Sequence, residues 1–279
     1  MTTWVEGATG KAGRQVVAAL AAAGAPVRAA SRQPGEPTHG VTPVRFDWYA
    51  DTTWAPALGD ADTAFVKGLD SDDNAAEVVA RFIAESPGLR RVVLMSAAGV
   101  DRTPAEAPRR AVELAVQNSG RQWTILRPNW FLQNFDEDDH VFAKALREHD
   151  ELYAGSGDHR VSFSDTRDIA AAAVIVLTQP GHDQRGYTLT GEEAVPFGHV
   201  ADVLAQASGR DIHHIDATVP EHREHFARSG RPTAWVDHML HLFALIRADA
   251  FAPTTDDVHR LTGNPPRTLA AYAKETWSP

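Results

Sequence analysis

Gly7, Gly10 and Gly13 stand three residues apart in the run Val5-Glu6-Gly7-Ala8-Thr9-Gly10-Lys11-Ala12-Gly13-Arg14. Glycines at this spacing, between a strand and a helix, can cradle the pyrophosphate of a dinucleotide. Gly7 lets the chain turn sharply out of the strand. Gly10, lacking a Cβ, lets the backbone approach the phosphates, and Gly13 lets the helix lie tight on the sheet. Thr9, Lys11 and Ala12 complete the turn, and the first helical N–H groups face the anion with the positive end of the helix dipole behind them. Glycine-rich turns are common, so this one carries meaning only if a βαβ unit surrounds it.

That unit is legible. Thr3 to Glu6 is a short apolar strand, and Gly13 to Ala23 is a helix with Val16, Val17, Leu20 and Ala21 on one face. Gly24 is a fitting stop, and Pro26 to Ser31 is a second strand. Strands at Val41–Asp47, Thr63–Lys67, Arg91–Met95 and Trp123–Leu126 follow, with helices at Asp72–Glu85 and Glu106–Asn118. Six strands alternating with helices make an α/β fold, a Rossmann-type doubly wound parallel sheet. After Pro128 short strands (Arg160–Phe163, Tyr187–Thr190, Ile212–Ala217) mix with helices at Asp168–Thr178 and Phe197–Ser208, and a long helical region runs from Pro220 to Ala248. The expected division is a dinucleotide domain over 1–150, with its core strands ending near 128, and a smaller C-terminal α/β substrate lobe over 151–279. The two interleave. Trp235, Met239, Leu242, Phe243 and Ile246 form an apolar stripe, which suits packing onto the body of the protein or a helical lid over about 219–250.

The second strand ends Ala30-Ser31-Arg32-Gln33, with no acidic residue between Gly7 and Glu36. An acid there would favour the ribose diol of NAD; Ser31 and Arg32 can instead bind the 2′-phosphate, so NADPH is expected over NADH. Arg32 is equally a residue type common on solvated loops.

Bulk properties narrow the partners. The 279 residues carry a formal charge of -10, with 43% hydrophobic and 23% charged residues. An acidic chain is a poor match for nucleic acid or an anionic membrane. There is no cysteine, which rules out disulfides and thiolate chemistry. No apolar run approaches the ~18 residues of a membrane span, so a cytoplasmic location is expected. The 13 histidines include pairs at His213/His214, His222/His225 and His238/His241, but no third ligand at a recognised spacing. Solvated helix faces are expected, and no metal.

Taken together, several motifs resemble the NmrA-like atypical short-chain dehydrogenase/reductases. They are Gly7 to Arg14, Phe46-Asp47-Trp48, Val93 to Gly99, Trp123 to Phe135, Phe163 to Ala170, Tyr187 to Gly191 and Phe251 to Val258, spread over nearly the whole chain. The resemblance implies a Rossmann domain, a smaller C-terminal lobe and a substrate cleft between them. It implies Asp47 and Trp48 by the adenine, Lys67, Gly68 and Leu69 along the cofactor, and Pro128, Asn129, Trp130 and Phe131 near the nicotinamide.

Two departures stand out. Glu6 occupies the position where the family usually has Thr, and a carboxylate beside a pyrophosphate must point away or meet a cation such as Lys11. Short-chain reductases also commonly use a Ser with a Tyr four residues before a Lys. Ser96 fits the serine, but the lysine position falls on Arg109 and the tyrosine position on Ala105. No tyrosine lies between Tyr49 and Tyr153. Ser96 is then a candidate hydrogen-bond donor to substrate, or a strand-end serine bonding backbone or cofactor. Arg109 can bind the cofactor but cannot give up a proton at neutral pH. Substrates needing little acid assistance fit this set: a quinone, or a polycyclic aromatic ketone of the kind reduced in antibiotic polyketide pathways. Phe131, Trp235, Met239 and Phe243 are the expected substrate-lining residues, with Trp130, Phe131, Trp235 and Phe243 as the aromatic wall. A monomer or homodimer acting on such a small molecule is the expected state, and a non-catalytic dinucleotide sensor is the alternative.

Overall fold

A computed structural model describes residues 1–69, 73–137 and 140–279. In chain order the first elements are β1 (Thr3–Glu6), α1 (Lys11–Ala22), β2 (Val27–Ser31), β3 (Val41–Arg45), α2 (Trp54–Leu58), β4 (Thr63–Val66), α3 (Ala75–Ala84) and β5 (Arg91–Met95). Next come α4 (Pro108–Gln117), β6 (Gln122–Pro128), α5 (Val141–His149), β7 (Glu151–Tyr153), β8 (Arg160–Val161), α6 (Thr166–Thr178) and β9 (Arg185–Leu189). The chain closes with β10 (Val195–Pro196), α7 (Phe197–Ser208), β11 (His213–Ile215), α8 (Val219–Arg228), α9 (Thr233–Arg247), α10 (Asp257–Thr262) and α11 (Leu269–Trp277). The helix expected to begin at Asp72 begins at Ala75 among the described residues; Asp72 itself lies outside them.

The chain divides into two units, 1–128 with 166–189 and 257–264, and 129–165 with 190–256 and 265–279. The first boundary thus falls at Pro128, where the sheet strand ends, and not near 150. In the first unit the described strands form one parallel sheet in the order β3-β2-β1-β4-β5-β6-β9. The order reverses between β1 and β4, the switch point at which α/β sheets open a ligand crevice at their strand ends. Val92, Val93 and Leu94 of β5 are fully shielded on both faces, as a central parallel strand covered by helices must be.

One expectation is corrected here. The segment at Tyr187–Thr190 belongs to the main sheet: β9 pairs with β6, Leu126 opposite Tyr187, making a seventh strand. Helix α6 joins the same unit, and Arg91 caps its end by donating from Nη1 to the carbonyls of Leu177 (2.8 Å) and Gln179 (3.1 Å). Its alanines are compatible with either unit in the sequence; only packing assigns them.

The second unit is built on a core that includes Phe135, Phe142, Phe163, Phe197, Phe226 and Phe243. The helical region expected from Pro220 to Ala248 is two helices, α8 and α9. Gly230 takes φ +74° and Pro232 precedes α9, so the ladder cannot run through. Helices α5 and α11 lie outside the expected set, although Val141, Phe142, Ala145 and Leu146 recur at helical spacing and form the buried face of α5. No described helix is long and apolar enough to cross a membrane.

Candidate functional site: a glycine cradle and the pocket beside it

β1 delivers the chain to Gly7, which turns at φ +62°. The Gly10 N–H closes the turn on the Gly7 carbonyl at 2.8 Å. Helix α1 then starts with Gly10 at its N-cap, no side-chain cap and no acidic residue in its first turn. A Cβ at Gly13 would sit 2.1 Å from the Gly7 carbonyl oxygen, and one at Gly10 would sit 3.3 Å from it. Gly13 is therefore demanded by the turn itself, a closer neighbour than the sheet expected from the sequence. A glycine-rich turn ahead of a helix start with no side-chain cap fits a pyrophosphate, with Gly7, Thr9, Gly10, Lys11, Ala12 and Gly13 in the cradle.

Glu6 resolves the first departure by pointing away from that cradle. Its carboxylate is buried and accepts hydrogen bonds from the Trp48 Nε1–H (2.8 Å) and from the backbone N–H groups of Lys67 (2.7 Å) and Gly68 (2.8 Å). Burial pushes its pKa above the usual carboxylate range, opposed by those donors and by Lys67. The residue is thus a staple holding the Lys67-Gly68-Leu69 turn to the end of β1, a role the sequence did not disclose. Trp48 is drawn into the core by the same bond, edge-on to Phe46, Trp54 and Phe82. Its ring is packing, not an open face for an adenine. Asp47 shapes its own loop, accepting from the Tyr49 N–H at 3.0 Å.

At the end of β2 the Ser31 Oγ is shielded and has no hydrogen-bond partner, while Arg32 is exposed. An orphaned hydroxyl beside an exposed guanidinium is a fitting pair for a phosphate. Lys67 and Leu69 after β4, Ser96 after β5 and Arg109 of α4 line one pocket walled by Leu94 and Val112.

A buried ion pair stands behind this pocket. Glu113 of α4 is fully buried and receives Arg127 Nε–H at 2.8 Å, Arg127 Nη2–H at 2.9 Å and Arg110 Nη1–H at 2.7 Å. Burial alone would raise the Glu113 pKa, but Arg127, Ser96 and Arg110 together hold it below the usual range. A Cβ on Gly186 of β9 would lie 2.4 Å from Arg127 Nη1, so that glycine makes room for the guanidinium. The Ser96 Oγ is buried with no partner in hydrogen-bonding geometry, within electrostatic reach of Glu113. Its N–H donates to Leu126 O at 2.8 Å. The pocket therefore holds a hydroxyl and two basic side chains, and the carboxylate behind it is kept ionised.

Pro128 ends β6 and accepts the Ala98 N–H at 3.0 Å. In the second unit, Asn129 spends its side chain internally. Its Nδ2–H donates to Ser162 Oγ and Phe251 O, both at 2.8 Å, and its Oδ1 accepts from the Trp130 N–H at 2.9 Å. It fixes the direction of Trp130, whose half-buried ring stacks at 6.1 Å on Phe142 and 6.5 Å on Phe243. Phe131 and Trp235 are half-buried, but Met239 and Phe243 are only 5% and 3% exposed. The apolar stripe of α9 is core, which leaves those two little surface to offer a ligand. Among the described residues no cluster of His, Asp and Glu could hold a metal. His238 and His241 lie on solvent as expected; His222 does not, being 1% exposed.

Comparison with known proteins agrees with the glycine cradle. Residues 7–180 match the family described as NAD(P)H-binding. The chain belongs to that family. It is 34% identical over 278 residues to the NAD(P)H azoreductase of Xenophilus azovorans, covering 97% of this chain and 96% of the other. By fold it is similar to the triphenylmethane reductase of Citrobacter sp., with TM-score 0.85, 20% identity and 99% of each chain covered. The NADPH-dependent quinone oxidoreductase QOR2 of Escherichia coli gives TM-score 0.84, 22% identity and 99% coverage of both chains. The negative transcriptional regulator NmrA gives TM-score 0.72 at 16% identity, covering 99% of this chain and 95% of that one. The structural likenesses establish the Rossmann-like architecture; the sequence match places the chain among NAD(P)H-dependent oxidoreductases.

Proposed function

We propose that this NAD(P)H-dependent reductase uses NADPH to reduce a quinone or a polycyclic aromatic ketone. The observation that carries the reading is the pocket of Lys67, Leu69, Ser96 and Arg109, which contains no proton donor of the usual kind. Arg109 stays charged, Glu113 stays ionised, and the tyrosine position is Ala105. When bound, the cofactor supplies hydride to an electron-poor carbon. The chain's part is to bind and orient: the uncapped start of α1 holds the pyrophosphate, and Ser31 with Arg32 receives the 2′-phosphate. Lys67 and Arg109 stabilise negative charge, and Ser96 offers a hydroxyl. A quinone fits such a site because its reduced anion is stabilised and takes its proton from water. A ketone flanked by a phenol supplies its own internal hydrogen bond.

Purified protein supplied with NADPH is expected to oxidise it in the presence of a panel of quinones and polycyclic hydroxyketones. No turnover on any of them, with cofactor demonstrably bound, would overturn the reading. It would favour a dinucleotide sensor instead, the reading that the missing tyrosine also supports. For the cofactor preference, Arg32→Ala is expected to weaken NADPH much more than NADH in fluorescence titrations. Equal losses would remove Arg32 from the 2′-phosphate site.

A further inference from the structure

The second unit carries an open groove of about 1020 Å³, bounded by α5, β7 and the end of α8 with the turn that follows it. It shares no lining residue with the pocket at Ser96. Lys144, Arg228 and Arg231 line it together with His140, His149 and His225. That is a concentration of cationic and protonatable groups in a chain whose formal charge is -10.

Helix ends explain part of the concentration. His149 closes α5, and His225 and Arg228 close α8, where positive side chains complement the helix dipole. Lys144 does not fit that account. It sits near the start of α5, whose first turn contains no acid, so its charge faces the unfavourable end of the dipole. Arg231 lies beyond α8 in the turn before Pro232, half-buried, with its guanidinium 5.0 Å from the Trp235 ring. Glu148 and Glu151 also line the groove and offset part of the charge. His149 lies 3.9 Å from Glu148, and Arg228 lies 3.8 Å from Glu224. These are exposed pairs that a stronger anion can displace. Tyr153 and His225 supply the other half of the chemistry. Their rings stack face to face, 4.1 Å apart at 3°, and both line the groove, so an outer face of the pair is the flat aromatic wall.

We infer that this groove binds an anion carried on an aromatic ring, an aryl carboxylate or sulfonate, at a site separate from the reductase pocket. The ring lies against the Tyr153 and His225 wall, while Lys144, Arg228 and Arg231 receive the acid group. Binding is coupled to protons. Desolvation and neighbouring Arg228 lower the His225 pKa, so the imidazole is neutral when the groove is empty. An anion in contact raises it, so His225 takes up a proton on binding. Affinity therefore rises as pH falls, against the fixed background of Lys144, Arg228, Arg231, Glu148 and Glu151.

The test is calorimetric titration of the full chain with naphthalene-2-sulfonate, with 2-naphthalenemethanol and inorganic phosphate as separate probes. Saturable sulfonate binding is expected, tighter at pH 6 than at pH 8. Lys144→Glu with Arg228→Glu, two exposed positions, is expected to weaken it by about tenfold or more. Circular dichroism of that variant checks that it stays folded. Failure to saturate, equal affinity in the folded variant, or affinity unchanged between the two pH values would overturn the site. Phosphate binding as tightly as the sulfonate would overturn its aromatic part, and so would the neutral alcohol matching it.

Discussion

At the scale of single residues, three positions make the sharpest demands. Gly13 has no room for a Cβ, because the Gly7 carbonyl would be 2.1 Å away. Gly13→Ala is expected to shift the turn, lower Tm and weaken NADPH by about tenfold or more, since overpacking costs about 1–3 kcal/mol. Gly35→Ala, where nothing lies within 4 Å, serves as the neutral control in the same titration. Arg127 is the second. Arg127→Met leaves Glu113 buried with Arg110 as its ion-pair partner, and about 3–5 kcal/mol of stability should be lost in urea unfolding. Removing the Glu113 charge as well should recover part of it. His222 is the third: both ring nitrogens are buried without hydrogen-bond partners, and burial lowers its pKa to about 4. Its folded pKa lies below the unfolded value, so the unfolded chain binds the extra proton. Stability from this residue is complete above pH 6.5 and declines as pH falls toward 4. About 2 kcal/mol should be gone by pH 5. His222→Phe should show a smaller drop in urea midpoint between pH 7 and pH 5; an unchanged drop would assign the acid sensitivity elsewhere.

At the scale of elements, α9 decides between a lid and a core helix. Val236, Met239, Phe243 and Ile246 are all buried, and Phe243 packs against Trp130, Phe142 and His222. Phe243→Ala is therefore expected to cost about 3–5 kcal/mol in chemical unfolding. A mobile lid would lose activity with little change in stability. The β1–α1 unit shows the opposite case, where local sequence was sufficient. A strand, a φ-positive glycine and an amphipathic helix follow one another within about twenty residues, and each residue's neighbours in sequence are its neighbours in space. For α6 and β9 the signal was mute. An alanine-rich helix and a short strand carry no mark of which unit they join, and the β6 partner is just over sixty residues away.

At the scale of the whole molecule, cofactor binding and folding are linked. A ligand held by the folded chain alone adds about 2.7 kcal/mol at a hundred times its Kd. NADPH should accordingly raise the melting temperature more than NADH at equal concentration, and identical shifts would remove the basis for the NADPH preference. By itself the sequence determined the parallel α/β architecture, the glycine cradle and the missing Tyr/Lys pair, because these rest on local spacing and residue type. Tertiary structure alone decided the rest. It turned Glu6 inward onto Trp48 and the Lys67-Gly68 backbone, took Trp48, Met239 and Phe243 into cores, and buried His222. It gathered Lys67, Ser96 and Arg109 into one pocket and seated Glu113 between two arginines. The physical reason is the same in each instance. A side chain's burial, its partners and its charge state are set by groups distant in sequence, and no spacing along the chain records which of them will meet.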